Sequence, residues 1–260
     1  RPVSEFSRLD LALGAVARRS KRSLTVVTCL ACAAFLVIGI EPFRLDAQLK
    51  SGERDSGVGG FELYAEAATG VVQDLNSQEG REFYALDDHL MDSVHVTALR
   101  LKEGEDASCL NLNRAQRPQI LGVPVAELAS MEAFAFAGQL DPELKASGME
   151  PGWELLEHRF EDPDIIPAIA DIQTATWALG NKIGGELNYV DETGRPFRLR
   201  LVGGMDGSVL QGALMISETR FKERFPSVAG YRRFFIDAED PESVREELSF
   251  ALEGVGLNVD

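Results

Sequence analysis

Five side chains within nine positions have the chemistry of a metal site: Asp87, Asp88, His89, Asp92 and His95. Carboxylates with imidazole suit a divalent cation, and His89, Asp92 and His95 are the candidate ligands. The same residues straddle an expected helix end and strand start, where polar side chains satisfy backbone groups without any ion. The spacing leaves both readings open. Cys29 and Cys32 form a C-x-x-C, but inside an apolar run, where a thiol is hard to ionise and makes a poor redox centre. Cys109 is the one cysteine beyond that run, so no disulfide framework is expected, and a small apolar core residue is its ordinary role. Glu161-Asp162-Pro163-Asp164 reads as a turn. Gly57-Val58-Gly59-Gly60 has no strand before it and no helix after it, so it is a flexible loop and not a dinucleotide fingerprint. The sequence has no G-x-S-x-G, no H-E-x-x-H and no phosphate-loop motif, and it calls for no cofactor.

The elements that must position these residues alternate between helix and strand. Phe61–Ala67 and Val94–Leu101 are expected strands, with a helix capped by Asn76 or Ser77 and running through Leu86 between them. A short helix over Pro151–Phe160 places Trp153, Leu156 and Phe160 on one face. Ile165–Ala170 is a short buried strand, and Pro167 suggests a sheet edge or a strand end. Asp171 caps a helix through Leu179. Asp191–Arg195 joins Gly185–Val190 to Pro196–Val202 as a hairpin. Gly212–Ile216 and Arg232–Ile236 are further strands, and Ser217 caps a helix through Phe225. Asp240, Pro241 and Glu242 start a last helix whose apolar stripe is Val244, Leu248, Ala251 and Leu252. Residues 102–150 are ambiguous, with Cys109–Leu112 a short strand candidate. Ser4–Ala17 has the periodicity of an amphipathic helix.

Eighteen uncharged residues run from Ser23 to Ile40, directly after Arg18, Arg19, Lys21 and Arg22. As a helix they cover roughly 27 Å, near the hydrocarbon thickness of a bilayer. The apolar positions of this expected span include Leu24, Val27, Leu30, Phe35, Leu36, Ile38 and Ile40. The basic flank places the N-terminus in the cytoplasm. A cleaved signal peptide, or a lipoprotein signal lipidated at Cys32, are the alternatives; neither a clean A-x-A site nor a good lipobox supports them. Net charge is −16 over 260 residues. It divides into +4 over residues 1–40 and −20 over the rest. So acidic a body repels nucleic acid and anionic lipid.

A resemblance joins these features. The basic lead into an apolar helix (Ala17–Leu24) is similar to the start of the first span in FtsX-like ABC transporter permeases. The order Ile166–Asp171, Trp177–Gly180, Lys182–Gly185 and then the hairpin ending Arg198–Gly203 resembles the strand, helix, Gly-turn and hairpin block of MacB-like periplasmic core domains. Arg54–Gly57, Ser208–Gly212, Phe225-Pro226 and Gly230–Arg232 resemble a large-permease subgroup. Asp55, Gly57, Cys109, Asp171, Gly184, Gly203, Gln211 and Gly212 lie in these segments without an assigned role. The resemblance implies an α+β chain: a cytoplasmic segment 1–22, a transmembrane helix 23–40, a connector 41–60, and a mixed α/β extracytoplasmic domain 61–260 of one or two lobes. It implies three further spans after 260, which this sequence does not contain. The expected role is a non-catalytic membrane permease subunit. Its expected partners are a cytoplasmic ATPase subunit and a second permease half or a periplasmic protein, with no nucleic acid. Pro42 and the Gly-rich connector would loosen the coupling between span and domain. The alternative is a single-pass anchored binding, sensor or scaffold domain; an anchored hydrolase would need His89 and His95 to hold a metal.

Overall fold

The structure is a computed structural model that describes residues 20–40, 53–104 and 117–260. The expected Ser4–Ala17 helix, the Cys109–Leu112 strand and most of the 41–60 connector lie outside these residues. The chain divides into two units, Arg1–Asp46 and Ala47–Asp260. In the first, α1 (Ser20–Ile40) is one helix, as expected from an uncharged run with neither proline nor a charge inside it. Its side chains are described for Lys21 and from Leu24 to Leu36; Leu24, Leu30 and Phe35 are exposed. In the part of α1 whose side chains are described, and in every other described helix, no stretch is long and apolar enough to cross a membrane.

The second unit is a mixed α+β body built on one ten-stranded sheet in the order β10-β1-β9-β2-β3-β8-β5-β7-β4, with β6 also pairing β7. Its first part is β1 (Leu63–Val71), α2 (Gln78–Tyr84), α3 (Asp88–Met91) and β2 (His95–Lys102). The chain returns to the same part much later, as β9 (Tyr231–Asp237), α7 (Pro241–Ala251) and β10 (Leu257–Val259). The four strands lie in the order β10-β1-β9-β2, each antiparallel to its neighbour. Two βαβ units thus interleave, the split arrangement of a ferredoxin-like layer. Strand alternation explains its core. Leu63, Ala65, Ala67, Val96, Phe234 and Ile236 pack with Met91, Val244 and Leu248 of the helices and with Leu75, Leu86 and Leu252 beside them, while Tyr64, Leu99 and Phe235 point to the opposite face.

The second lobe is inserted between β2 and β9. It contains β3 (Gln119–Val123), α4 (Val125–Ser130), β4 (Phe136–Leu140), α5 (Pro142–Ala146), a 3₁₀ turn (Trp153–Glu157), β5 (Ile165–Asp171), β6 (Glu186–Val190), β7 (Pro196–Met205), β8 (Ala213–Ser217) and α6 (Glu218–Arg224). β2 belongs to both lobes. His95–Leu99 pair with β9, and Arg100–Lys102 pair with β3. The inserted sheet is buried on both faces, with Ile120, Ile166, Leu199, Leu214 and Ile216 on one and Leu121, Ile169, Val202 and Met215 on the other.

Several caps act as the sequence requires. Ser77 accepts from Gly80 N–H, Ser217 from Arg220 N–H and Asp240 from Ser243 N–H. Other expectations are corrected. Pro167 is not on an edge strand: β5 lies between β7 and β8. Its register with β8 begins only at Ile169, so the missing N–H of Pro167 falls where one side of β5 is unladdered. The helix after Asp171 is a π turn over Thr174–Ala178, with Leu179 N–H donating to Thr174 O at 3.0 Å. The expected Pro151–Phe160 helix is the 3₁₀ turn alone. Trp153 and Leu156 are buried, and Phe160 lies beyond it, under the Arg200 guanidinium.

The β6–β7 hairpin is organised by one carboxylate. Asp191 Oδ1 accepts from the Thr193 hydroxyl at 2.7 Å and from the backbone N–H of Thr193 and Arg195 at 2.8 and 2.9 Å. The Thr193 hydroxyl is the main cause that lowers its pKa to about 2, against the opposing effect of burial. A carboxyl lowered in the folded state adds stability that is complete above its unfolded pKa of about 4 and is lost as pH falls through the folded value. Wild type and Asp191→Asn are therefore expected to differ in thermal midpoint at about pH 7 and to converge as the pH falls from about 4 to 2. A gap that stays constant over that range contradicts this role.

Candidate functional site: the seam between the lobes

The segment that leads into β1 is held between both lobes. Arg54 O accepts from Phe134 N–H at 2.7 Å and Gly57 O accepts from Val209 N–H at 2.9 Å, both in the inserted lobe. The Arg54 guanidinium reaches Asp237 at the end of β9 in the first lobe, at 2.7 Å, and lies 5.0 Å over the Phe61 ring. Ser56 is buried, and its hydroxyl accepts from Gly60 N–H. Residues 53–60 are thus turns, as composition predicts, but not slack ones, which corrects the expectation of a loose connector for this part. Two features fix the seat. A Cβ on Gly57 would lie 2.1 Å from Gly207 O. Gly59, at φ +67°, faces the Phe134 ring, and a Cβ there would lie 2.8 Å from it.

Aromatic rings fill the space beneath. Phe61 stacks on Phe235 at 5.0 Å, and Phe134 meets Phe235 edge-on at 5.1 Å and Trp153 at 5.9 Å. Trp153 Nε1 donates to Ala133 O at 2.7 Å, so its polar edge is satisfied in the core. Phe134 adopts φ +74°, a conformation costing a bulky residue on the order of 1–3 kcal/mol. Burial of the ring contributes about 2–3 kcal/mol and each aromatic pair a further ~0.5–1.5 kcal/mol. Packing outweighs the strain, and the ring that is strained is the one touching all three parts.

Charged pairs line the same seam. Arg100 on β2 pairs with Glu218 on α6 at 2.9 Å, and Glu218 also takes the Tyr231 hydroxyl and Lys222 at 2.7 Å. Burial pushes the Glu218 carboxyl up, but hydrogen bonds from Lys222, Arg100 and Tyr231 outweigh it and hold it below its ordinary value. His95 Nε2 lies 3.0 Å from Glu127 on α4, whose carboxylate also takes the Thr97 hydroxyl.

These partners decide the fate of the metal candidates. His95 is turned to Glu127, Asp92 pairs with Arg81 at 2.9 Å, and His89 is exposed on α3. The three do not converge, and among the described residues no group of three or more His, Cys, Asp or Glu side chains is placed to hold a metal. The motif positions of unassigned role fare differently. Asp171, fully buried, caps its turn through Gln173 N–H and accepts from Ser208 N–H at 2.9 Å. Gly212 N–H donates to Thr174 Oγ1 at 2.9 Å. Asp171, Gly212 and Gly57 therefore hold the 208–212 loop, which in turn holds the lead-in segment. Gly203 packs against Leu155. Gly184, at φ +86°, lies beside Pro142 and Asp141, where Asp141 makes a two-pronged pair with Arg200 at 2.8 and 3.0 Å. Asp55 and Gln211 are exposed, and Cys109 lies outside the described residues. Phe134 and Trp153 were not legible as a seam, because an aromatic residue gives no sequence signal for a positive φ.

No protein-family model and no curated protein matches this sequence. Among solved structures, the periplasmic region of MacB from Actinobacillus actinomycetemcomitans is similar at 11% identity, over 83% of this chain and 92% of that chain, with a TM-score of 0.37. A likeness of that degree assigns no role to any residue.

The seat of the lead-in segment predicts unequal effects of two glycine substitutions. Gly57→Ala forces a backbone shift and is expected to cost about 2–3 kcal/mol, or roughly 5–10 °C in thermal midpoint. Gly254→Ala enters open space and is expected to stay within about 0.5 kcal/mol of wild type. Equal effects in differential scanning calorimetry would show that the segment is not gripped.

Proposed function

We propose that this chain is a non-catalytic, membrane-anchored subunit of the permease type, with α1 as a span and the two-lobed body outside the cytoplasm as a relay. The observation that carries this reading is that the start of β1 is paired with the end of β10. Tyr64 N–H donates to Asp260 O at 3.2 Å, and Asp260 N–H donates to Tyr64 O at 2.8 Å. The start of β1 and the end of β10 thus lie side by side at one end of one sheet. That arrangement suits a domain held between membrane segments, since displacement on either side reaches the same sheet end. The grip of both lobes on residues 54–57 gives such a displacement a stiff route into the body. The uncharged run 23–40 and its basic flank supply the anchor and its orientation. The body's acidic charge agrees with no role in nucleic-acid or anionic-lipid binding.

In this reading ATP hydrolysis belongs to a separate cytoplasmic subunit, and further spans follow residue 260. The body transmits motion to a transported substrate, a second permease half or a partner outside the membrane.

Topology tests the proposal. In intact bacterial host cells, a cysteine at exposed Glu192 is expected to react with a membrane-impermeant maleimide, in a background with the native cysteines replaced by serine. A cysteine at Ser4 is expected to react only after permeabilisation. Labelling of Ser4→Cys in intact cells, or protection of Glu192→Cys, would overturn the proposed orientation.

A further inference from the structure

The end of β2, the approach to β3, the β6–β7 hairpin and the exit of α6 line one cleft of about 530 Å³. Its walls are fixed to one another. The Tyr189 hydroxyl on β6 donates to Pro118 O at 3.1 Å. The Ser227 N–H and hydroxyl both donate to Glu192 Oε2, at 2.9 and 2.5 Å. Gly104 lies against the approach to β3, where a Cβ would stand 2.5 Å from Arg117 O. The cleft is thus formed before any ligand arrives, and its volume is in the range of small-molecule sites. Val190, Phe225 and Val228 supply its apolar lining, and the Phe225 ring meets Tyr189 edge-on at 6.2 Å.

The charged groups of the lining are unequally satisfied. Each carboxylate is engaged: Glu103 with Arg232 at 2.5 Å, Asp191 with its own hairpin and Arg195 at 3.1 Å, and Glu192 with Ser227. The two cations, Lys102 and Arg117, are not. Among the described residues neither pairs with a carboxylate, and Lys102 Nζ reaches only the Glu103 backbone oxygen, at 3.5 Å. Residues 41–260 hold forty Asp and Glu against twenty Lys and Arg, so carboxylates are not scarce. Distant charges of the body are screened beyond about 8–10 Å. Within the cleft, the two cations are the unanswered charges.

We propose that this cleft binds a small amphipathic anion: one carboxylate or phosphate group carried on an apolar body. Arg117 offers the anionic group a planar fork and Lys102 a point charge, while Val190, Phe225 and Val228 take the apolar part. A neutral ligand would leave both cations unanswered, and a cationic one would meet two like charges. The cleft uses none of the residues that grip the lead-in segment, so the inference goes beyond the membrane reading and does not depend on it.

The test irradiates the full chain, in nanodiscs of zwitterionic phosphatidylcholine, with the photo-reactive probe benzophenone-4-carboxylate. Adducts mapped by mass spectrometry are expected within residues 189–192 and 225–228. Phenylacetate or phenyl phosphate is expected to protect these sites, and the better protector identifies the anionic group; benzyl alcohol is expected not to protect. Labelling is expected to fall about tenfold in Lys102→Gln/Arg117→Gln. A Lys145→Gln/Lys182→Gln variant removes the same charge from exposed positions elsewhere and is expected to label as wild type does. Neither pair of substitutions should move the thermal midpoint by more than a few degrees. Adducts spread over the body, equal labelling by the neutral benzophenone-4-carboxamide, protection by benzyl alcohol, or an equal fall in both double variants would each overturn the proposal.

Discussion

Phe134 is the residue on which the body's unity depends. It sits at a backbone angle that an aromatic side chain ordinarily avoids, and it stays there because three surfaces meet on its ring. Phe61 belongs to the lead-in segment, Phe235 to the first lobe and Trp153 to the second. Its amide holds Arg54 O at the same time. The seam is therefore apolar at its centre, with charged pairs at its border, and the order of magnitudes matters. Half-exposed pairs such as Arg54–Asp237 contribute up to about 1 kcal/mol, less than the burial of one aromatic ring. The ion pairs set register and orientation; the rings hold the lobes together.

This constraint shapes how the body can move. β2 passes from one lobe to the other without a break, and the inserted lobe returns to β9 beside it. A motion that separated the lobes would unstack the rings and break the β2 ladder together. Rigid displacement of the whole body, driven at the sheet end where residues 64 and 260 meet, leaves both intact. A relay that moves as one piece is the physical content of the proposed role, and it explains why the segment before β1 is gripped at 54–57.

Local chemistry was legible where it was local. The caps at Ser77, Ser217 and Asp240, the Asp191 hairpin and the alternation of β1 each depend on neighbours within a few residues, and each is visible in the sequence. The lobe topology was not, because β2 and β9 are adjacent in space but separated by the whole inserted lobe. β10 is three residues long, too short for a period to show. Pro167 suggested an edge because a proline cannot complete a ladder, yet local loss of pairing on one side of β5 accommodates it. His89, Asp92 and His95 go to separate surroundings for the same reason of distance: Glu127, which takes His95, is on another lobe. Asp171, Gly57 and Gly212 were singled out by resemblance without a role, and their role as a linked support for the lead-in segment needed coordinates.

Native-state hydrogen exchange on the full chain in increasing denaturant tests the central claim most directly. The amides to follow are Ile236 in the first lobe, Met215 in the second, and Phe134 and Val209, which hold the lead-in segment. If the aromatic seam makes one unit of the body, all four open with a common free energy and a common denaturant dependence. Separate opening of the two lobes, or exchange of Phe134 and Val209 at the rate of exposed loops, would contradict the account.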